Sequence, residues 1–203
     1  MRRVKSSKSA KARPGRRNSV RIVGGGWRGR RVHFPQSPGL RPTPDRVRET
    51  LFNWLQHEVA GSRCLDLFAG SGALGLEALS RGAREVVFVD EAPAVIQSLQ
   101  AELARLGGGA KARTVHSAAA RFLATPAEPF DLIFLDPPFG QGALGQYVAL
   151  LEAGRWVRPG GAVYLEGERQ AGAPALPLGW DLVKSKSAGE VGYHLARATS
   201  VGT

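Results

Sequence analysis

The chain has 203 residues, 43% of them hydrophobic, which is enough for the core of one domain with an appendage. Its formal net charge of +11 indicates an acidic partner, and its single cysteine, Cys64, excludes an internal disulfide and fits a reducing compartment. No apolar run of signal-peptide or membrane-span length lies near the start, so we expect no membrane association and a cytoplasmic location.

The positive charge is concentrated near the N-terminus. The first 44 residues contain 13 Lys and Arg and no acidic residue, whereas residues 45–203 contain 15 basic and 17 acidic residues. Residues 1–19 are rich in Lys, Arg and Ser and predict a disordered basic tail, although an organelle transit peptide has a similar composition. The basic pattern continues into sequence that is typical of folded structure, around Trp27 and Arg41, and this favours the tail.

A small extension is predicted at residues 20–60. Val20, Ile22 and Val23 predict a short strand, and residues 32–34 predict a second strand after a glycine-rich turn. An irregular, proline-rich loop follows. Apolar residues then recur at helical spacing and predict an amphipathic helix that ends near Val59.

Strands and helices alternate from residue 63 onward, which is typical of a parallel sheet covered on both faces. The predicted strands span residues 64–68, 86–89, 112–115, 132–135 and 162–165. The predicted helices span residues 72–81, 92–106, 117–124 and 142–157. Two further β-like runs, 180–186 and 191–198, predict an antiparallel hairpin because only a short turn separates them. Residues 61–203 are therefore predicted to form an α/β domain with a doubly wound, mostly parallel, Rossmann-like sheet and a C-terminal antiparallel hairpin, the architecture of class I methyltransferases.

A glycine-rich segment follows the first predicted strand of this domain. Gly70, Gly72 and Gly75 satisfy the pattern G-x-G-x-x-G and let the backbone approach a ligand at the mouth of the sheet. Asp90 ends the next strand, where a carboxylate can accept hydrogen bonds from ribose hydroxyls. Nicotinamide and flavin dehydrogenases share both features, so these residues leave the class of enzyme open.

The carboxylate of Asp66, inside the turn, distinguishes a methyltransferase from a dinucleotide-binding dehydrogenase. Asp66 would repel a pyrophosphate, but it attracts the positively charged amino and sulfonium groups of S-adenosylmethionine. Together with the loop described next, it favours a methyltransferase over a dinucleotide enzyme. The predicted cofactor-binding residues are Asp66, Phe68, Ala69, Gly70, Gly72 and Asp90.

The fourth predicted strand of the domain runs directly into Asp136-Pro137-Pro138-Phe139. Two prolines stiffen this loop and remove two amide donors, so the loop presents hydrogen-bond acceptors. We predict that Asp136 and the Pro137 carbonyl each accept one hydrogen of an exocyclic amino group, which aligns its lone pair with the methyl carbon. Asp136 then stabilises the developing charge or takes the proton, and Phe139 stacks on the base. The motif predicts amino methylation but not which base is methylated.

The sequence resembles the bacterial small-subunit ribosomal RNA guanine-N2 methyltransferases over residues 21–198. The matching segments are 21–25 (RIVGG), 27–30 (WRGR), 37–43 (SPGLRPT), 45–53 (DRVRETLFN), 66–83 and 136–139 (DPPF). The resemblance implies an S-adenosylmethionine-dependent enzyme that methylates the exocyclic N2 of a guanine in 16S ribosomal RNA. One departure is Ala118, where the family usually has Asn or Asp to contact the adenine of the cofactor, so a backbone amide would replace that contact.

The basic extension is predicted to bind this RNA. Arginines neutralise phosphates, a tryptophan stacks on an exposed base, and no acidic residue precedes Asp45. The predicted RNA-binding residues are Arg21, Trp27, Arg28, Arg30, Arg41, Arg46 and Arg48. The predicted partner is 16S ribosomal RNA, either naked or in an assembled small-subunit particle, and the enzyme is predicted to be a monomer.

Two other functions remain open from the residues. One is a methyltransferase acting on DNA adenine or on a protein glutamine, since such enzymes use similar Pro-Pro loops. The other is a non-catalytic RNA-binding assembly factor with a vestigial methyltransferase fold, against which the intact Asp66, Asp90 and Asp136 argue. The four histidines show no metal-ligand spacing, so no metal site is predicted.

Overall fold

The computed structural model describes residues 18–36, 42–138 and 143–199. Its strands are β1 (Asn18–Arg21), β2 (Arg31–Phe34), β3 (Arg63–Asp66), β4 (Glu85–Asp90), β5 (Ala112–His116), β6 (Phe130–Leu135), β7 (Val157–Glu168), β8 (Trp180–Ala188) and β9 (Val191–Ala198). Its α-helices are α1 (Asp45–Trp54), α2 (Ala73–Ser80), α3 (Pro93–Leu106), α4 (Ala119–Leu123) and α5 (Leu144–Ala153). Within these ranges, no helix combines the length and the apolar character that crossing a bilayer requires.

Seven strands form one mixed sheet in the order β5-β4-β3-β6-β7-β9-β8, and β1 and β2 form a separate antiparallel pair. The five adjacent strands β5, β4, β3, β6 and β7 run parallel to one another, whereas β9 runs antiparallel to both β7 and β8. The chain order reverses at the β3–β6 pair, so the topological switch point of the sheet lies between these two strands. The predicted α/β fold with its C-terminal hairpin is confirmed.

Two hydrophobic clusters form the core, and side chains that alternate along the strands belong to one or the other. The first cluster contains Phe88 and Phe134 and is covered by α1, α2, α3 and the β1–β2 pair. The second contains Ile133 and Leu165 and is covered by α4 and α5. The predicted extension at residues 20–60 therefore packs into the same cluster as the helices that follow β3 and β4.

The last helix of the parallel part is shorter than predicted. α5 ends at Ala153 rather than at the predicted residue 157, and β7 begins already at Val157 and runs through Pro159-Gly160-Gly161. Arg155 has a left-handed φ of 54°, and the indole of the buried Trp156 donates to the Leu123 carbonyl at 3.2 Å. The chain leaves the helix early because this large ring is buried against α4.

The first helix also ends before the predicted position. α1 stops at Trp54, and residues 55–61 continue as turns in which Leu55 and Val59 stay buried. The helical spacing of apolar residues persists past the end of the helix because the turns bury side chains in the same cluster.

Candidate active site

Two loops leave the same edge of the sheet beside each other. β3 and β6 are parallel neighbours in which Asp66 is level with Phe134, so the glycine loop after β3 and the Asp-Pro-Pro segment after β6 start next to each other. Open α/β sheets bind ligands in the crevice outside the carboxyl ends of the strands at such a switch point. The two motifs predicted from the sequence therefore meet in one site.

The glycine loop turns through two residues in the left-handed region. Gly70 has a φ of 49° and Gly72 a φ of 74°, which are conformations that residues with side chains rarely adopt. A Cβ at Gly72 would also lie 2.4 Å from the Leu99 side chain. This tight turn lets α2 begin at Ala73, close to the carboxyl end of β3.

Two carboxylates accept hydrogen bonds from backbone amides in the glycine loop and just after it. Asp66 is buried, and its Oδ2 accepts a hydrogen bond of 2.9 Å from the amide of Gly75 in the first turn of α2. Burial raises the pKa of Asp66 to about 7, the Gly75 amide opposes this shift, and the nearby Asp90 adds to it. Asp90 accepts hydrogen bonds from the amides of Gly70 at 2.9 Å and Ala92 at 2.8 Å. Asp90 therefore ties the loop to the start of α3.

The residues between β3 and the glycine loop lie in the same region. The Ala69 amide donates to the Val89 carbonyl at 2.9 Å, and the half-buried ring of Phe68 meets the Tyr147 ring edge-on, with 4.9 Å between the centroids. Ala118 immediately precedes α4 and is only partly buried. A methyl side chain offers no hydrogen bond, so the backbone contact with adenine stays a prediction.

Asp136 is the first residue after β6 and is half-buried, while Pro137 beside it is buried. Burial raises the pKa of the Asp136 carboxyl well above its usual range, and the negative charges of Glu166 and Asp66 raise it further. The hydroxyl of Thr43 acts in the opposite direction. The site therefore holds a carboxyl group whose protonation is sensitive to the groups around it.

The structure adds a carboxylate that sequence reasoning missed. Glu166 lies near the end of β7, is only 3% exposed, and accepts hydrogen bonds at Oε2 from the Tyr164 hydroxyl at 2.6 Å and the Thr43 hydroxyl at 3.2 Å. A signal was available in the sequence, because Glu166 directly follows the apolar run 162–165 just as Asp136 follows its own strand.

Comparison with known proteins places the chain in a family. A family model described as "Conserved hypothetical protein 95" matches residues 20–197. The ribosomal RNA small subunit methyltransferase D of Escherichia coli (strain K12) is 48% identical over 183 residues, which cover 90% of this chain and 92% of that protein. The chain belongs to the family of the ribosomal RNA small subunit methyltransferase D. The resemblance inferred from the sequence is thereby confirmed.

Solved structures agree with the family assignment. A solved structure described as "Putative methyltransferase yhhF from Escherichia coli" matches with a TM-score of 0.84 at 45% identity and covers 90% of this chain and 99% of that one. A Thermus thermophilus 16S rRNA N2 methyltransferase, solved in complex with AdoMet and guanosine, matches with a TM-score of 0.62 at 28% identity and covers 94% of this chain and 53% of that one. The class I methyltransferase fold and S-adenosylmethionine as the cofactor are confirmed.

In this family member, basic residues of the extension form an exposed surface on the β1–β2 pair and the start of α1. Arg28, Arg30 and Arg46 are exposed to solvent. Arg21 is also exposed, and its guanidinium donates to the Asp45 carboxylate at 3.2 Å. These four arginines are therefore on the surface, where a polyanion can reach them.

Trp27 is less accessible than a base-stacking role alone requires. It is half-buried and packs against the core, and a Cβ added at Gly108 would lie 2.6 Å from its ring. Its backbone amide donates to the Ser80 hydroxyl at 2.9 Å. Only part of the ring is open for a base. Arg41 and Phe139 lie outside the described residues, so their predicted contacts stay predictions.

Arg48 has a structural position, which corrects its predicted role in phosphate binding. Its side chain is 0% exposed, and it donates to the Glu77 carboxylate at 3.2 Å and the Asp45 carboxylate at 2.6 Å. It also donates to the carbonyls of Thr43 at 3.1 Å and Arg21 at 2.6 Å. The guanidinium therefore joins α1, β1 and α2 inside the protein and has no surface to offer to RNA.

A cleft of about 390 Å³ opens between the β1–β2 pair and the start of α1, and its lining includes Arg21, Arg31 and Thr43. Thr43, which lines this cleft, also donates to the buried Glu166. Across residues 18–36, 42–138 and 143–199, no group of three or more His, Cys, Asp and Glu side chains is arranged to hold a metal ion.

Proposed function

We propose that this protein transfers a methyl group from S-adenosylmethionine to the exocyclic N2 amino group of a specific guanine in 16S ribosomal RNA. One observation carries the proposal: the Asp136-Pro137 segment starts at the switch point of the sheet, beside the glycine loop and its carboxylates. In a member of the ribosomal RNA small subunit methyltransferase D family, this arrangement supports transfer to an amino group of the RNA.

The residues around the glycine loop fit the cofactor. Asp66 and Asp90 supply carboxylates for its amino group and ribose hydroxyls, and the half-buried Phe68 supplies an apolar surface beside them. When bound, S-adenosylmethionine supplies an electrophilic methyl carbon: the bond from guanine N2 to this carbon forms as its bond to sulfur breaks, which leaves S-adenosylhomocysteine. The carboxylates also favour the cationic cofactor over a dinucleotide, whose pyrophosphate they would repel.

Asp136 orients the amino group and manages its proton. The lone pair of an exocyclic amino group is delocalised into the ring, so the group reacts only if its two hydrogens are held and the lone pair is aligned. The Asp136 carboxylate and the Pro137 carbonyl serve as the two acceptors, and Phe139 serves as the stacking surface for the base. After transfer, the cationic nitrogen loses its proton to Asp136 or to water.

The RNA lies along the exposed arginines of the extension. Arg21, Arg28, Arg30 and Arg46 are on the surface, and the cleft lined by Arg21 and Arg31 adjoins Thr43 at the edge of the active site. Phosphates that flank the target base bind to these arginines, and the basic residues that precede β1 add charge. Within this proposal the enzyme is a cytoplasmic monomer that acts on 16S RNA in the course of small-subunit assembly.

The function is tested by mass analysis of nucleosides from small-subunit RNA of cells with and without the gene. Loss of one N2-methylguanosine, restored by the wild-type gene and not by Asp136→Ala, is the expected result. Unchanged N2-methylguanosine contradicts the proposal. A change in DNA N6-methyladenine or in protein glutamine methylation would point instead to the other amino methyltransferases, and an assembly defect without any change in methylation would point to a non-catalytic factor.

Salt dependence tests the RNA surface. Arg28→Gln combined with Arg30→Gln is expected to make the negative slope of the log association constant against log salt shallower by about 2 for 16S RNA, that is, by about one for each lost phosphate contact. Equilibrium binding between low and physiological salt measures it. Arg121→Gln is the matched control, because Arg121 is exposed on α4, which packs on the other cluster of the core. Equal slopes in the double variant and the wild type would exclude these arginines from the interface.

A further inference from the structure

Glu166 and Asp136 occupy equivalent positions on neighbouring strands. Leu135 of β6 is level with Leu165 of β7, so the residues that follow them, Asp136 just after β6 and Glu166 in β7, begin at the same height. Adjacent strands of a sheet lie about 4.8 Å apart. Leu165 packs in the second cluster, so the alternation of side chains along β7 directs Glu166 to the opposite side of the sheet, where its negative charge acts on Asp136.

The two carboxylates share a neighbour from the extension. The Thr43 hydroxyl donates to Glu166 Oε2 at 3.2 Å, and its hydrogen bonding also opposes the rise in the pKa of Asp136. Thr43 lines the cleft in which the RNA is proposed to lie. A base that enters from this cleft and places its amino group at Asp136 therefore has Glu166 beside the same edge of the ring.

The hydrogen bonds of Glu166 leave one of its oxygens for a ligand. Both the Tyr164 and the Thr43 hydroxyls donate to Oε2, and among the described residues none donates to Oε1. A carboxylate that is 3% exposed is costly to bury, and here it also raises the pKa of Asp136 by its negative charge. An apolar side chain would fill this place at lower cost, so a structural role alone does not account for Glu166.

The Watson–Crick edge of guanine matches this pair of carboxylates. Guanine presents two neighbouring donors there, the N2 amino group and N1–H, whereas adenine presents an acceptor at N1. We infer that Glu166 accepts a hydrogen bond from guanine N1–H while Asp136 holds N2, which makes Glu166 the residue that selects guanine. The inference rests on the proposed function, and it explains a choice of base that the Asp-Pro-Pro-Phe loop does not make.

An analogue that reverses the donor at N1 tests the inference. 2-Aminopurine keeps the exocyclic amino group at the same carbon, but its N1 is an acceptor. It is placed at the mapped target position of 16S RNA, which is offered naked and as a reconstituted particle. Wild-type enzyme is expected to prefer guanine by at least about 100-fold in kcat/KM, because an acceptor facing a buried carboxylate leaves both groups unsatisfied.

Glu166→Gln should change this preference. The Tyr164 and Thr43 hydroxyls can still donate to the amide oxygen of the new side chain, which leaves its NH₂ group to donate to N1 of 2-aminopurine. The guanine to 2-aminopurine ratio is expected to fall at least tenfold, with S-adenosylmethionine affinity unchanged by calorimetry. Glu168→Gln, the same change at an exposed position two residues further along β7, should keep the wild-type ratio.

The outcomes separate this inference from the proposed function. If wild-type enzyme forms no N2-methylguanosine in guanine-containing RNA, the proposed function fails. If it does so but Glu166→Gln keeps the wild-type ratio, only the role of Glu166 is overturned. Should Glu166→Gln not bind the cofactor, the wild-type ratio decides, since equal transfer to guanine and 2-aminopurine would overturn the inference and a strong preference for guanine would support it.

Discussion

Asp136→Ala is expected to lower kcat for methyl transfer by about 1,000-fold, since both the alignment of the amino group and the acceptor for its proton are lost. The affinity for S-adenosylmethionine should stay within about twofold of wild type, because the carboxylates at the glycine loop are Asp66 and Asp90. The variant should also fold, because the substitution removes a carboxylate that lies beside the buried Glu166. Single-turnover transfer and calorimetric titration of the cofactor measure the two effects.

Asp136→Asn is the informative companion to the alanine variant. The amide keeps one acceptor oxygen for the amino group but takes up no proton, so we expect activity between those of wild type and Asp136→Ala. Activity of Asp136→Ala within tenfold of wild type would show that the catalytic role is misassigned. Loss of cofactor affinity in both variants would instead place Asp136 in the cofactor site.

Arg48→Met is expected to lower the free energy of unfolding by about 3 to 5 kcal/mol, the usual effect of removing one partner of a buried ion pair. Among the described residues, the Glu77 carboxylate, which is 0% exposed, would keep the Arg81 side chain and the Val23 amide as its partners. The carbonyls of Thr43 and Arg21 would also lose a donor. Urea denaturation followed by circular dichroism measures the change.

Arg46→Met provides the matched control for Arg48→Met. Arg46 lies on the same helix, two residues earlier, and is exposed, so its replacement should change the free energy of unfolding by less than about 0.5 kcal/mol. The salt dependence of RNA binding should be weakened more by Arg46→Met than by Arg48→Met. Equal stability of the two variants would contradict the buried role of Arg48.

Local chemistry made part of the site predictable. Glycine tolerates the left-handed conformations found at Gly70 and Gly72, and the two prolines after Asp136 mark a stiff loop that presents acceptors. Because both signals are contiguous in sequence and follow apolar strands, the pattern also predicted that they leave the sheet at the same edge. The alternation of strands and helices predicted the fold class for the same reason.

Element ends were less predictable, because they depend on what a side chain packs against. Trp156 takes the chain out of α5 earlier than its helical pattern predicts, since the ring is buried against α4. The basic character of the segment also led to the wrong prediction that Arg48 binds phosphate, because the sequence does not show whether an arginine faces solvent or a buried carboxylate. Glu77, its partner, lies 29 residues away on another helix.

The sequence by itself therefore determined the fold class and the family, and it predicted the cofactor loop and the catalytic role of Asp136, because all of these signals lie in short contiguous segments. Only the tertiary structure showed that Thr43, Asp136 and Glu166 lie near one another, because the register between β6 and β7 and the packing of the extension bring them together. It likewise separated the exposed arginines from Arg48. Distances between residues remote in sequence are set by packing and strand register, which single-chain patterns do not encode.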